Sequence, residues 1–160
     1  MRRDHRHRLS QEVLEKSRAG LYSQFEVQRG PPIQLLVKYF KQVGELWQIN
    51  AEIRAMVQHR QLNLLQDFSQ LGVFDLIFCR NVLIYFDQET KTQVFNRLAK
   101  AMEPDGFLML GAAETVVGLT AVFKPVAERR GVYQPNEVRT APVRTPVFGA
   151  SAPRVAMAGI

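Results

Sequence analysis

Apolar residues recur along the chain with changing spacing, and each change marks an element. From Leu9 to Ala19 the spacing is helical: Ser10 reads as an N-cap, Glu12 lies in the first turn, Leu9 can pack on Leu14, and Gly20 closes the helix. Pro31-Pro32 predict a second short helix reaching about Val37, because proline is tolerated in a first turn. The stretches 38–42 and 46–49 flank Val43-Gly44-Glu45 and predict a hairpin, with a short helix around Glu52–Met56 after it.

The middle of the chain is more decisive. Phe74-Asp75-Leu76-Ile77-Phe78-Cys79 is a nearly continuous apolar run, the pattern of a strand buried on both faces. Asp87 can cap a helix from about Gln88 to Met102 that carries Val94, Phe95, Leu98 and Met102 on one side. Glu103-Pro104-Asp105-Gly106 then reads as a turn and Phe107–Gly111 as a second buried strand. Strand, helix and strand at this spacing predict a parallel βαβ unit with a right-handed crossover. Phe123–Val126 and Gly131–Tyr133, joined through Glu128-Arg129-Arg130, predict an antiparallel pair at the sheet edge. The expected fold class is α/β.

Composition narrows the class without changing it. The 160 residues are 46% hydrophobic and 22% charged, which is globular usage for one domain. A single cysteine, Cys79, excludes an internal disulfide framework and fits a reducing compartment, so a cytoplasmic location is expected. No apolar stretch approaches the roughly 20 residues that span a bilayer, so no membrane insertion is expected. The net charge of +6 lies mostly at the ends: residues 1–8 hold four Arg and one Asp, and residues 135–160 hold three Arg and one Glu. The body mixes both signs, an ordinary solvated surface, and no nucleic-acid partner is expected. The proline-rich, aperiodic stretch 135–160 is expected to be a disordered tail, and residues 1–9 a basic leader.

In an open α/β sheet ligands bind beyond the carboxyl ends of the strands, which puts weight on Arg80-Asn81-Val82-Leu83-Ile84-Tyr85-Phe86-Asp87. Arg80 offers a planar cationic fork and Asn81 a bidentate amide, suited to a carboxylate or to a ribose or base edge. Tyr85 adds a hydroxyl and an aromatic face. The plainer alternative stays open: Arg80 pairs with a surface carboxylate, Asn81 caps a turn and Tyr85 packs. By itself Asn63 reads as a turn or strand-end residue. Cys79 reads as core rather than nucleophile. His5, His7 and His59 lack partners for a metal, and none is expected. None of the ten glycines lies two positions from another, which excludes the Gly-x-Gly phosphate loops.

The run Phe74-Asp75-Leu76-Ile77-Phe78-Cys79-Arg80-Asn81-Val82-Leu83-Ile84-Tyr85-Phe86-Asp87 closely resembles the chemotaxis-receptor methyltransferases of the CheR family. The likeness starts near residues 12–20, includes Asn63-Leu64-Leu65, and continues through Met102-Glu103-Pro104-Asp105-Gly106-Phe107 to Gly131-Val132-Tyr133. It implies a Rossmann-like class I methyltransferase sheet over residues 10–134 and a small inserted antiparallel β-subdomain at about 38–50. It implies S-adenosylmethionine as cofactor, methyl-accepting chemotaxis receptors as partners, and methylation of receptor glutamates. Asn63 and Leu64 would border the cofactor, Arg80 and Asn81 would contact it or the mouth of the active site, and Tyr85 would lie near the methyl acceptor. Arg80 and Tyr85 are thus the candidate catalytic residues. The hairpin turn at Val43-Gly44-Glu45 is shorter than in family members that bind a tethering peptide, so tethering is not expected.

One departure from the family pattern stands out. The helical domain, first strand and acidic residue of the family would precede Leu9, where this sequence has Arg6-His7-Arg8. The sheet is therefore expected to be incomplete at its N-terminal half, and the chain to be a truncated or inactive copy lacking an N-terminal segment. The alternative is a non-catalytic docking module derived from such an enzyme.

Overall fold

The computed structural model describes residues 3–136 and 154–158. Two compact units divide at residue 62, one covering Met1–Leu62 and the other Asn63–Ile160.

The first unit opens with helix α1 (Arg3–Ala19). The helix runs through Ser10, which is therefore interior and not an N-cap, and through most of the expected leader. No proline or glycine interrupts residues 3–19, and arginine is a good helix former. Gly20 ends α1 as expected, with φ 62° and its N–H donating to Lys16 and Ser17 carbonyls at 3.2 Å. A Cβ there would lie 2.6 Å from Arg54 Cδ and 2.7 Å from Ile49 Cγ2, so glycine is required for space as well as for φ.

Strand β1 (Leu21–Ser23) leads directly into helix α2 (Gln24–Gln28). Ser23 and Glu26 form a reciprocal capping box at its start. Helix α3 (Ile33–Tyr39) follows Pro32, then β2 (Phe40–Val43), β3 (Leu46–Ile49) and helix α4 (Ala51–Ala55). The strands form an antiparallel sheet in the order β1-β3-β2. Val43 pairs with Leu46, leaving the two-residue loop Gly44-Glu45 with φ 61° at Gly44, the position where a type II′ hairpin wants glycine. The expected hairpin is thus present, widened to three strands by β1.

The second unit is a five-stranded mixed sheet, the partial Rossmann-like sheet expected, in the order β6-β7-β5-β4-β8. Strand β4 (Phe74–Cys79) and strand β5 (Met102–Leu110) are parallel and joined through helix α5 (Gln88–Lys100). Asp87 caps α5 by accepting the Thr90 N–H at 2.8 Å. Val94, Phe95 and Leu98 of α5 enter the core with Ile77, Cys79, Leu108 and Leu110, and Phe95 meets Phe123 edge to face. Strands β6 (Phe123–Pro125) and β7 (Val132–Pro135) form the expected antiparallel pair on the β5 side.

Three expectations differ here. Ile77 and Cys79 are buried but Leu76 and Phe78 are only half-buried, so β4 is fully covered on one face and not on both. The expected turn at 103–106 lies inside β5 as a bulge: Phe74 pairs with Met102 but Leu76 with Phe107. Gly106 makes this possible, since a Cβ would come within 2.8 Å of the Asp75 carbonyl oxygen. The expected disordered tail 135–160 carries strand at both ends, because Pro135 closes β7 and Val155–Ala158 form β8, which pairs with β4. Residues 137–153 of that tail lie outside the described residues. Among the described residues no helix is long and apolar enough to cross a membrane.

Candidate functional site

Because β4 and β5 are parallel, their carboxyl ends lie at one end of the sheet, and each runs into a loop there. After β4 come Arg80, Asn81 and Val82, then a single 3-10 turn, Leu83–Tyr85. After β5 come Gly111 to Glu114.

A buried carboxylate joins the two loops. Glu114, 9% exposed, accepts the main-chain N–H groups of Val82 at 3.0 Å and Leu83 at 2.8 Å on Oε1. Its Oε2 accepts those of Asn81 at 2.9 Å and Gly111 at 2.8 Å. Four orphan donors at strand and turn ends thus converge on one acceptor-only group, a concave nest of N–H dipoles around an anion. Asn81 reaches this arrangement with φ 60°, a left-handed conformation that asparagine tolerates better than most residues. Gly111 is required by space: a Cβ would lie 2.7 Å from Glu114 Oε2 and 2.8 Å from Asn81 Oδ1. Below the loop Val82 and Leu83 are anchored in the core.

On this fixed loop the sequence candidates face outward. Arg80 is exposed and forms no ion pair among the described residues. Tyr85 is 68% exposed. The plainer alternative for these two, a surface ion pair and a packed ring, is not what the structure contains. Asn81 serves the turn through its main chain, while its side chain is exposed.

Asn63 and Leu64 have local tasks. Asn63 Oδ1 accepts the Leu65 N–H at 2.9 Å in an Asx turn, and the Leu64 side chain belongs to the core. Arg80, Asn81, Gly111 and Glu114 are brought together at the strand ends; no hydrogen bond links Asn63 to them.

Glu114 was not among the sequence candidates. The available signal was a glycine directly after a buried strand with a glutamate three positions on, Gly111-Ala112-Ala113-Glu114, at the same sheet end as Arg80. Cys79 sits beneath the loop, fully buried, and burial followed by the nearby Glu114 charge pushes its thiol up to about 12. It is an inert core thiol. Among the described residues no group of three His, Cys, Asp or Glu is arranged to hold a metal ion.

A family model described as CheR methyltransferase, SAM binding domain, matches residues 7–132. The chain belongs to the CheR methyltransferase family. The CheR match runs through β4, both site loops and β5, and starts inside the segment expected to be a leader. Similar relatives include Chemotaxis protein methyltransferase 1 of Vibrio cholerae, 37% identical over 125 residues, which are 78% of this chain and 46% of that protein. Chemotaxis protein methyltransferase Cher2 of Pseudomonas putida is 37% identical over 128 residues, 79% of this chain and 46% of that protein. Chemotaxis protein methyltransferase of Escherichia coli is 39% identical over 107 residues, 64% of this chain and 37% of that protein. The chain spans about half the length of the curated CheR relatives it matches.

Proposed function

We propose that this chain acts in the cytoplasm in the transfer of a methyl group from S-adenosylmethionine to glutamate carboxylates of chemotaxis receptors, giving glutamyl methyl esters. The observation that carries the reading is the loop of Arg80 to Tyr85, pinned to Glu114 from within and presenting an exposed guanidinium and phenol, inside the family match.

The exposed groups fit part of the cofactor and the acceptor. Carboxamides at Asn63 and Asn81 suit a base or ribose edge, and Arg80 suits a carboxylate through paired charge-assisted hydrogen bonds. Leu64, with its side chain in the core, would border the cofactor through its main chain. S-adenosylmethionine, when bound, supplies a methyl group already activated by a sulfonium. A glutamate acceptor is already ionised at neutral pH, so no strong general base is required of the chain. The residues' task is alignment, where positioning alone is worth roughly 7–11 kcal/mol. Arg80 holds the acceptor carboxylate in line, and Tyr85 orients the acceptor or turns its ring toward the positive charge.

Isothermal titration of the full chain with S-adenosylmethionine and its demethylated product tests the reading. Saturable binding weakened by Asn81→Ala is expected, and absence of binding to either compound contradicts it.

A second reading, a receptor- or protein-docking module without catalysis, is favoured by one observation. The first unit carries its own small sheet and exposes Phe25, Ile33, Val37 and Met56 to between 61% and 81%. Receptor binding by a chain that binds no cofactor would select this second reading.

A further inference from the structure

We propose that Glu114 is a positioning residue for the cofactor: its carboxylate is the anion that keeps Asn81 left-handed and so sets how the Arg80 and Asn81 side chains leave the strand end. This rests on the cofactor reading above and adds to it a residue that acts through others.

Three successive main-chain N–H groups converge on one spot only where the backbone changes hand. Asn81, at φ 60°, is followed by Val82 at φ −111° and ψ −45°, a left-handed residue and then a right-handed one. That turn gathers the N–H groups of Asn81, Val82 and Leu83 at 2.8 to 3.0 Å from the two Glu114 oxygens. The fourth donor, Gly111, comes from the other loop at 2.8 Å. Without an anion between them these dipoles repel, and a non-glycine residue loses the support for its left-handed backbone. Asn81 then returns to a negative φ. The peptide planes on both sides of it turn, and the side chains of Arg80 and Asn81 swing relative to β4.

The carboxylate is given over to this task. Among the described residues no side chain donates to Glu114, so its charge is spent on main-chain N–H groups. A turn closed by the Glu114 N–H on the Gly111 carbonyl at 3.0 Å brings the side chain back over its own loop. Gly111 leaves no spare room, since a Cβ there would lie 2.7 Å from Glu114 Oε2. The compartment therefore fits one carboxylate-sized anion, and a small carboxylate from solution meets the same four donors once the side chain is shortened.

The test uses the full chain, with backbone NMR and calorimetry. In Glu114→Gln the amide protons of Asn81, Val82, Leu83 and Gly111 move upfield, and the Asn81 couplings leave the left-handed range. The Kd for S-adenosylmethionine rises about tenfold or more, the factor that loss of a hydrogen bond to a charged group implies. The Leu108 amide in β5 stays protected from exchange, which shows the sheet intact. In Glu114→Ala, sodium formate restores the four amide positions and the Asn81 couplings, whereas formamide, neutral and of similar size, does not. Glu114→Gln keeps the side-chain volume and carries the test where the shorter side chain prevents folding. Unchanged Asn81 couplings in Glu114→Gln overturn the proposal. So does an unchanged Kd beside changed couplings, or formate acting no better than formamide. A wild type that binds no cofactor contradicts the functional reading instead; the amide and coupling readouts need no ligand and decide the role of Glu114 by themselves.

Discussion

Asn81 and Glu114, 33 positions apart, meet at 2.9 Å through a main-chain N–H and a buried carboxylate, and this contact ties the loop after β4 to the loop after β5. The carboxylate serves three further N–H groups, so it sets the backbone on which Arg80 and Tyr85 stand. Glu114→Gln puts an amide donor against N–H donors. Chemical denaturation is expected to lose at least roughly 1.5–3 kcal/mol, the range for one hydrogen bond to a charged group. A variant as stable as the wild type would contradict the pinning role.

Gly111→Ala tests the same junction by space rather than charge. The added carbon meets both Glu114 Oε2 and Asn81 Oδ1 at under 3 Å, so the two loops must separate. A lower melting temperature is expected together with faster amide exchange at Val82 and Leu83. Gly111 does not adopt a positive φ, so the cost of the substitution is one of space and not of backbone strain.

Cys79 should resist thiol reagents in the folded chain at pH 8 and react at once in denaturant, because burial holds its thiol near 12. The folded value is raised above the unfolded one. Its contribution to stability is therefore complete below about pH 8.5, where the unfolded thiol ionises, and is lost as pH rises toward 12. Rapid native labelling at pH 8 would contradict the burial.

Phe95 is fully buried and meets Phe123 edge to face, so it couples α5 to the sheet. Phe95→Ala is expected to cost about 3–5 kcal/mol in denaturant unfolding, the range for an emptied aromatic site. A loss under 1 kcal/mol would mean that the helix is not packed as described.

Glu26 is held by Lys16 Nζ at 2.9 Å and by the Ser23 N–H and hydroxyl, which lower its carboxyl to about 2. The folded value is depressed, so its stabilising effect is present above about 4.5 and disappears as pH falls through about 2. Carbon-detected NMR titration of the Glu26 carboxyl should give a midpoint near 2 that rises in Lys16→Met and in high salt. An ordinary midpoint in the wild type would contradict the contact.

The elements most legible in the sequence were those that local chemistry specifies. Asp87 as a cap, Gly20 as a helix end, the Gly44-Glu45 turn and the β4–α5–β5 unit follow from side-chain type and spacing, and the structure contains each. What was not legible depended on long-range pairing. The Glu103–Gly106 segment has turn residues, yet it is absorbed into β5 because Gly106 can press against the Asp75 carbonyl. Val155–Ala158 has no alternating pattern of its own, and its strand is defined by pairing with β4, which no local pattern announces. Arg80, Asn81 and Tyr85 are candidates by their position after a buried strand. Glu114 was missed because its role is to accept main-chain donors 31 to 33 positions away, which no local pattern announces.

The most direct test of the account is an amide-resolved NMR titration of the full chain with S-adenosylmethionine. The account predicts saturable shifts confined to Asn63 and Leu64, to Arg80 through Tyr85, and to Gly111 through Glu114. Shifts elsewhere with none at Arg80 through Tyr85 would contradict it.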